Sequence, residues 1–91
     1  MALTKETVVD KIEVLEMGQV QVRTATRVME DGAVLSSSFH RHVVEPSTKT
    51  GDTWADTDIS GEDARVQAVA NATWTDSVKT AYQEMIDAQA L

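Results

Sequence analysis

The chain has 91 residues, a formal net charge of −7 and no cysteine, and these properties exclude several classes of function. Nucleic acids and anionic membranes both select for Lys and Arg, whereas 15 acidic side chains here outnumber 8 basic ones, so we expect neither as a partner. Without cysteine there are no disulfides, thiolate metal sites or thiol nucleophiles, and a single domain of this size is too small to build a deep catalytic cleft.

The first two predicted elements are β-strands joined by a glycine turn. The stretch from Thr7 to Met17 is rich in β-branched residues but alternates imperfectly between apolar and polar side chains. The run from Val20 to Met29 alternates more regularly, which is typical of a strand with one face in water. Gly18 lies between the two runs, where a residue without a Cβ atom can adopt the positive φ of a tight turn.

A third strand is predicted from Ala33 to Val44. It follows the pair Asp31-Gly32, which favours a two-residue hairpin because both central positions of such a turn need positive φ. Pro46 ends the strand, since proline cannot donate to a β-ladder. Residues 1–44 therefore predict a three-stranded antiparallel meander.

Residues 45–59 are rich in Ser, Thr, Gly and Asp and predict a loop. Its one large aromatic residue is Trp54, which is either pinned to the body of the domain or offered to a partner. Aromatic side chains of this kind carry much of the binding energy at protein interfaces, and they also serve as lids over small cores. Both interpretations stay open from the sequence.

Residues 60–91 predict a helical segment of one or two helices. Ser60 is a candidate N-cap for an alanine-rich helix, and Thr75 is a candidate cap for a second helix with an amphipathic stripe. Trp74, between the two, is expected in the core. The fold class predicted from these elements is α+β, with residues 1–91 forming a single domain.

The acidic stretch before the first helix partly matches a calcium-binding loop. Asp56, Asp58, Ser60 and Gly61 occupy positions 1, 3, 5 and 6 of the EF-hand pattern. Position 12, which should be a bidentate glutamate, is Gln67, and no helix leads into the loop. A solvated acidic loop is therefore the favoured interpretation, and the three oxygen donors are weak calcium candidates.

His40 and His42 form the second candidate for metal chemistry. Alternate residues of a strand face the same way, so both imidazoles could approach one ion. Zinc needs further ligands, and Glu45 is close only in sequence. A polar strand face is the simpler interpretation, unless copies of these histidines converge in an assembly.

Ser36, Ser37 and Ser38 precede His40 and raise the question of serine nucleophilic catalysis. A catalytic serine needs a strained exposed turn, an orienting carboxylate and an oxyanion hole. Serines along the same strand as a histidine do not have that geometry, and no G-x-S-x-G motif occurs. We therefore expect no enzyme activity and no cofactor.

Five short segments carry a resemblance to a known group of proteins. They are Asp10–Val14, Gly18–Arg23, Glu30–Gly32, Ser38–Val43 and Gly61–Val66. In this order they resemble short proteins encoded by tailed bacteriophages and prophages, close to the genes of virion structural proteins and often to those of the tail or tail fibres. The loop over 45–59 is longer here than in typical members, and the group has no catalytic residues to carry across.

The resemblance implies a non-enzymatic virion component, found in the particle and, during assembly, in the host cytoplasm. Its expected partners are other virion proteins and copies of itself. The location could be the tail, baseplate or fibre; the alternatives are a capsid decoration protein and a non-structural phage assembly or host-binding factor. The side chains we expect at the interface are Phe39, His40, Arg41, His42 and Trp54.

Overall fold

The computed structural model describes residues 2–89 and confirms an α+β fold. A three-stranded antiparallel sheet comes first, then a second, two-stranded sheet, and two helices end the described chain. The elements are β1 (Leu3–Val14), β2 (Val20–Glu30), β3 (Ala33–Val44), β4 (Ser47–Thr50), β5 (Thr53–Asp56), α1 (Ala64–Thr73) and α2 (Asp76–Gln89).

The large sheet is the predicted meander, with β2 between β1 and β3. One cross-strand row joins Thr7, Thr26 and Ser38, and the pairing of β2 with β3 shifts between Val28 and Met29. The pairing of β1 with β2 shifts between Val9 and Lys11. This irregularity explains the imperfect alternation of the β1 sequence, because an extra residue at a bulge moves the following side chains to the other face.

The hairpin between β2 and β3 has the predicted backbone conformation. Asp31 and Gly32 have φ values of 50° and 85°, so both central residues of the turn are in the left-handed region, as a type I′ turn requires. The prediction that the third strand begins directly after this pair is confirmed, since β3 starts at Ala33.

The loop expected over residues 45–59 is wrong for part of its length. Two short strands, β4 and β5, pair there as a hairpin with Lys49 opposite Trp54. Gly51 has a φ of 62° at the first central position of the turn, where type II′ turns favour glycine. The threonines on both sides of Gly51-Asp52 were the available signal, since β-branched residues around a Gly-Asp pair are typical of a hairpin.

The cap predicted at Ser60 is also wrong, whereas the cap at Thr75 is confirmed. Helix α1 begins only at Ala64, and the Asp63 carboxylate accepts a hydrogen bond from the Arg65 backbone N–H (2.9 Å). An aspartate side chain at this position satisfies one of the free amide groups at the helix start. At α2 the Thr75 hydroxyl accepts from the Val78 backbone N–H (3.3 Å).

The core lies where the helices cover one end of the large sheet. Its buried members are Val20, Val22, Val44, Val66, Ala70 and Trp74. The Trp74 indole N–H donates to the Gly18 carbonyl (2.7 Å), so the polar atom of this large side chain is satisfied inside the core. This bond ties the turn between β1 and β2 to the junction of the helices.

The molecule is elongated, because the large sheet is longer than the helices that cover it. Its principal extents are 57 × 26 × 21 Å and its radius of gyration is 17.0 Å, against about 12 Å for a compact chain of this length. We call residues 3–8 and 25–39 the arm and the rest of the described chain the body. Among residues 2–89, the arm contributes nothing to the core cluster.

Candidate interaction surface

The arm carries most of the large apolar side chains that the structure leaves in water. Of eight such side chains within residues 2–89, five belong to the arm. They are Leu3 (62% exposed), Leu35 (56%), Val34 (53%), Phe39 (51%) and Val28. Single exposed apolar residues are normal on any protein, but a group of them on a projecting element marks a binding surface.

An ion pair organises the sheet face opposite the helices, which we call the outer face. The Arg23 guanidinium donates to both oxygens of the Asp10 carboxylate, at 2.9 and 2.8 Å. These hydrogen bonds hold the pKa of Asp10 below its ordinary value and raise the pKa of Arg23. The same guanidinium lies 4.6 Å from the centre of the Phe39 ring, close enough for a cation–π contact. Phe39 is therefore held in a defined position although half of it is exposed.

The two edge strands of the large sheet differ in charge. Strand β1 carries five charged side chains, namely Lys5, Glu6, Asp10, Lys11 and Glu13, and its register shifts at Asp10. Strand β3 has no acidic residue, and Arg41 is its single Lys or Arg. The pairing of β3 with β2 also shifts, at Leu35, so a register shift is common to both edges. Charges stop an edge strand from pairing with other chains, so β1 is the better protected edge and β3 is the more open one.

His40 and His42 share one face of β3, as the sequence predicts. Their rings are stacked with centroids 6.3 Å apart, and His42 Nε2 lies 2.7 Å from the Glu62 carboxylate. Within residues 2–89 no group of three or more His, Cys, Asp or Glu side chains is placed to hold a metal ion. In the single chain, His42 thus connects β3 to the segment before α1, and His40 is exposed.

The calcium candidates are used in contacts with the protein itself. Asp56 accepts a hydrogen bond from the Lys79 ammonium group (3.0 Å). Asp58 accepts from the Ser60 backbone N–H (2.9 Å), and the hydrogen bonds from Ser60 lower the pKa of the Asp58 carboxyl. Asp56 ends β5, and Asp58 and Ser60 follow it, with Ser60 entering a turn.

Trp54 is half-buried against α2. Its ring meets Tyr82 edge-on, with centroids 6.1 Å apart, and its indole N–H donates to Asp87 (3.4 Å). Lys49 forms an ion pair with Asp87 (2.8 Å) and lies 5.6 Å from the centre of the Trp54 ring. Of the two interpretations left open by the sequence, the geometry matches a residue pinned to the body.

The structure therefore separates the five expected interface residues into two places. Phe39, His40, Arg41 and His42 follow one another on β3, with Phe39 and Arg41 on the outer face and the histidines on the other. Trp54 belongs to the β4–β5 hairpin. Sequence reasoning missed the Asp10–Arg23 pair because the shift in β1 decides which side chains meet. It also missed the charge difference between the edges, which can be read by comparing the two strands.

The cavities of the described chain are shallow. One of about 160 Å³ is lined by Glu16, Met17, Ser77, Val78 and Ala81. A second, of about 140 Å³, lies beside Trp74 and Lys79. Sites for small molecules occupy roughly 300–1,000 Å³, so the arm and its edges are the stronger candidates for recognition.

Comparison with protein-family models, with curated proteins and with solved structures gives no match for this chain. No helix within residues 2–89 has the length and apolar character needed to span a membrane. The function is therefore inferred from the surface of the molecule and from the residues that carry the phage resemblance.

Proposed function

We propose that the chain is a non-enzymatic structural protein of a bacteriophage particle, a small component associated with the tail, baseplate or tail fibre. The observation that carries the proposal is the arm. It projects from the body and holds five large apolar side chains in water, and burying that surface against other subunits is favourable at roughly 25 cal/mol per Å².

The arm is built for contact and contributes little to the chain's own core. Helices α1 and α2 pack at the opposite end of the sheet, over Val20, Val22 and Val44. A small domain gains stability by joining an assembly, and a projecting sheet offers both a flat face and an open edge for that purpose. The projecting arm, its flat face and its open edge are all features that an assembly subunit uses.

The phage part of the proposal rests on the residues of the resemblance, and several of them shape the contact surface. Gly18 forms the turn bound by Trp74, Asp31 and Gly32 form the tip of the arm, and Phe39 lies on its outer face beside Arg23. Asp31, Gly32 and Phe39 thus carry both the resemblance and the geometry of the arm, while Gly18 shapes the body.

Quantitative mass spectrometry of purified particles tests the proposal. The phage is one whose genome carries this chain, and the copy number is measured against the major capsid protein. A few to a few tens of copies per particle is the expected result. Hundreds of copies would point to capsid decoration instead, and absence from particles, with the chain present in the infected cell, would overturn the structural role.

A matched pair of variants links incorporation to the arm. Leu35→Ser removes an exposed leucine from the arm, and Leu15→Ser removes one from the body. Neither leucine belongs to the core cluster, so both variants should fold. We expect particles to lose the Leu35→Ser chain and to retain the Leu15→Ser chain. If particles incorporate the two variants equally, the exposed side chains of the arm are not what binds the chain to the particle.

A further inference from the structure

We propose that β3 of one copy pairs antiparallel with β3 of a second copy, around Ser36–Ser38, so that two meanders form one continuous six-stranded sheet. This inference deepens the proposed function and rests on it for its biological meaning, since it names a second copy of the chain as the first partner of the arm. The pairing itself is a property of the isolated protein.

The outer edge of β3 is available for such pairing. Within residues 2–89 its one strand neighbour is β2, and every residue from Ala33 to Arg41 is exposed. The strand is long, contains no proline and has no acidic side chain. Its register shift against β2 falls at Leu35, just before the serine run, and Ser36–Ser38 themselves pair regularly with β2. A strand with unpaired backbone groups and few charges is a template for strand addition. The other edge, β1, lacks these properties because of its five charges.

Charge complementarity indicates that the partner of the β3 edge is a second copy of the chain. It also favours the antiparallel orientation of the two strands. The chain has a net charge of −7, so two copies attract each other electrostatically only where a basic region of one meets an acidic region of the other. Strand β3 has such regions at its two ends. Its start follows the acidic tip formed by Glu30 and Asp31, and Arg41 lies near its other end.

Antiparallel pairing about the serine run brings Arg41 of each copy beside the acidic tip of its partner, and two-fold symmetry makes this contact twice. Parallel pairing would instead place tip against tip and Arg41 against Arg41. Opposite charges across paired strands stabilise a sheet, and like charges destabilise it. A two-fold arrangement of this kind is also the commonest symmetry of small assemblies.

The shape of the molecule permits this arrangement. Ser37 would lie near the two-fold axis, and Val44, the β3 residue of the core cluster, is about 24 Å away along the strand. The two bodies would therefore sit at opposite ends of the joined sheet and would not collide. Leu35 and Phe39, both exposed in the single chain, would lie on opposite sides of the axis. Leu35 of one copy would therefore lie close to Phe39 of the second copy.

Sedimentation equilibrium with a charge inserted on either edge tests the pairing. Ser38→Glu and Thr7→Glu change the two ends of one cross-strand row, and both residues are exposed. Ser38→Glu places two like charges near the axis and should raise the dissociation constant of the dimer roughly tenfold. Thr7→Glu, on the β1 edge, should leave it unchanged.

The absence of native cysteine allows a direct test of proximity. A single Ser37→Cys variant should form a covalent dimer with a short bifunctional maleimide, and a single Thr7→Cys variant should not. Charge reversal tests the orientation. Arg41→Glu and Glu30→Lys should each weaken the dimer, and the double variant should recover at least half of the loss.

The outcomes separate this inference from the proposed function. A protein that stays monomeric to about 1 mM, or that dimerises equally well with Ser38→Glu and Thr7→Glu, would overturn the β3 pairing. If the same protein is nevertheless found in purified particles, the structural role stands and the β3 edge receives a strand from a different protein. A dimer that is absent from particles would sustain the pairing and overturn the virion role.

Discussion

The body and the arm use the same three strands in opposite ways. In the body, Val20 and Val22 of β2 are completely covered by the helices. In the arm, β3 is exposed along its whole length and Leu35 is 56% exposed. Both ladders run through the two regions, each with one register shift, so the main difference between the regions is the burial of their side chains.

This contrast shows where stability resides and which part is free for binding. Apolar burial stabilises a fold in proportion to the area removed from water, and most of that area lies in the body. The arm is held by its ladder and by contacts such as that of Arg23 with Phe39. Substitutions of buried residues in the body should therefore lower the free energy of unfolding strongly, whereas substitutions in the arm should lower it little.

The largest expected effect comes from Trp74→Ala. This side chain is buried and its indole N–H bonds to the Gly18 carbonyl, so its loss creates a cavity and an unsatisfied carbonyl. Truncation of a buried aromatic costs about 3–5 kcal/mol in the free energy of unfolding. The matched control is Trp54→Ala, where the side chain is half-exposed and about 1–2 kcal/mol is expected. Urea unfolding measures both, and equal losses would contradict a core centred on Trp74.

Gly18→Ala is the next largest change. The residue has a φ of 89°, and a Cβ atom there would lie 2.5 Å from Val78 Cγ1, so both the backbone and the core resist it. Positive φ and overpacking together cost roughly 2–4 kcal/mol. Gly61→Ala is the control, because no atom lies within 4 Å of its added Cβ. Thermal unfolding of the two variants should differ by several degrees; a stable Gly18→Ala protein would refute the packing of α2 on this turn.

Tyr82 gives the body a dependence on alkaline pH. Burial raises the pKa of Tyr82 to about 12, with a further contribution from the Glu45 carboxylate. A raised pKa means that the stabilisation is complete below the unfolded value of 10.0 and is lost as the pH rises from there to about 12. The loss should be roughly 1–3 kcal/mol.

The Tyr82 prediction can be followed without ambiguity because this is the only tyrosine in the chain. Ultraviolet absorbance of the tyrosinate reports its titration directly, and Tyr82→Phe should flatten the fall in stability over that pH window. A normal tyrosine titration in the folded protein would show that the side chain is not buried under the β4–β5 hairpin.

The smallest effect on the isolated chain is expected for Phe39→Ser. The ring is 51% exposed and lies outside the core, so less than about 1 kcal/mol of folding stability should be lost. Chemical denaturation at a protein concentration where the chain is monomeric provides the measurement. A loss comparable to that of Trp74→Ala would mean that the arm belongs to the folding core.

The strands, hairpin and helices could be predicted from local patterns, because each depends on nearby residues. Asp31-Gly32 predicts the main hairpin through the φ values it permits, and the helical stripe predicts α2. The β4–β5 hairpin was missed although Gly51-Asp52 carries a similar signal, since its strands are only four residues long. The cap at Ser60 was wrong because Asp63 competes for the same role three residues later.

The site depended on information that local patterns lack. The cation–π contact of Phe39 requires the register between β2 and β3, and the Asp10–Arg23 pair requires the shift within β1. The length of sheet that the helices leave uncovered depends on where α1 and α2 pack, and local sequence patterns do not predict that position. The interface role expected for the β3 residues stays a prediction, while the position of Trp54 needed its distance to Tyr82.

Amide hydrogen exchange at two protein concentrations tests the central claim, that the β3 edge of the arm is where this chain assembles. Peptides covering Ala33–Arg41 should gain protection as the concentration rises, while peptides covering Leu3–Glu13 of β1 should not change. Protection that is independent of concentration in both strands, or that rises in β1 alone, would contradict the account.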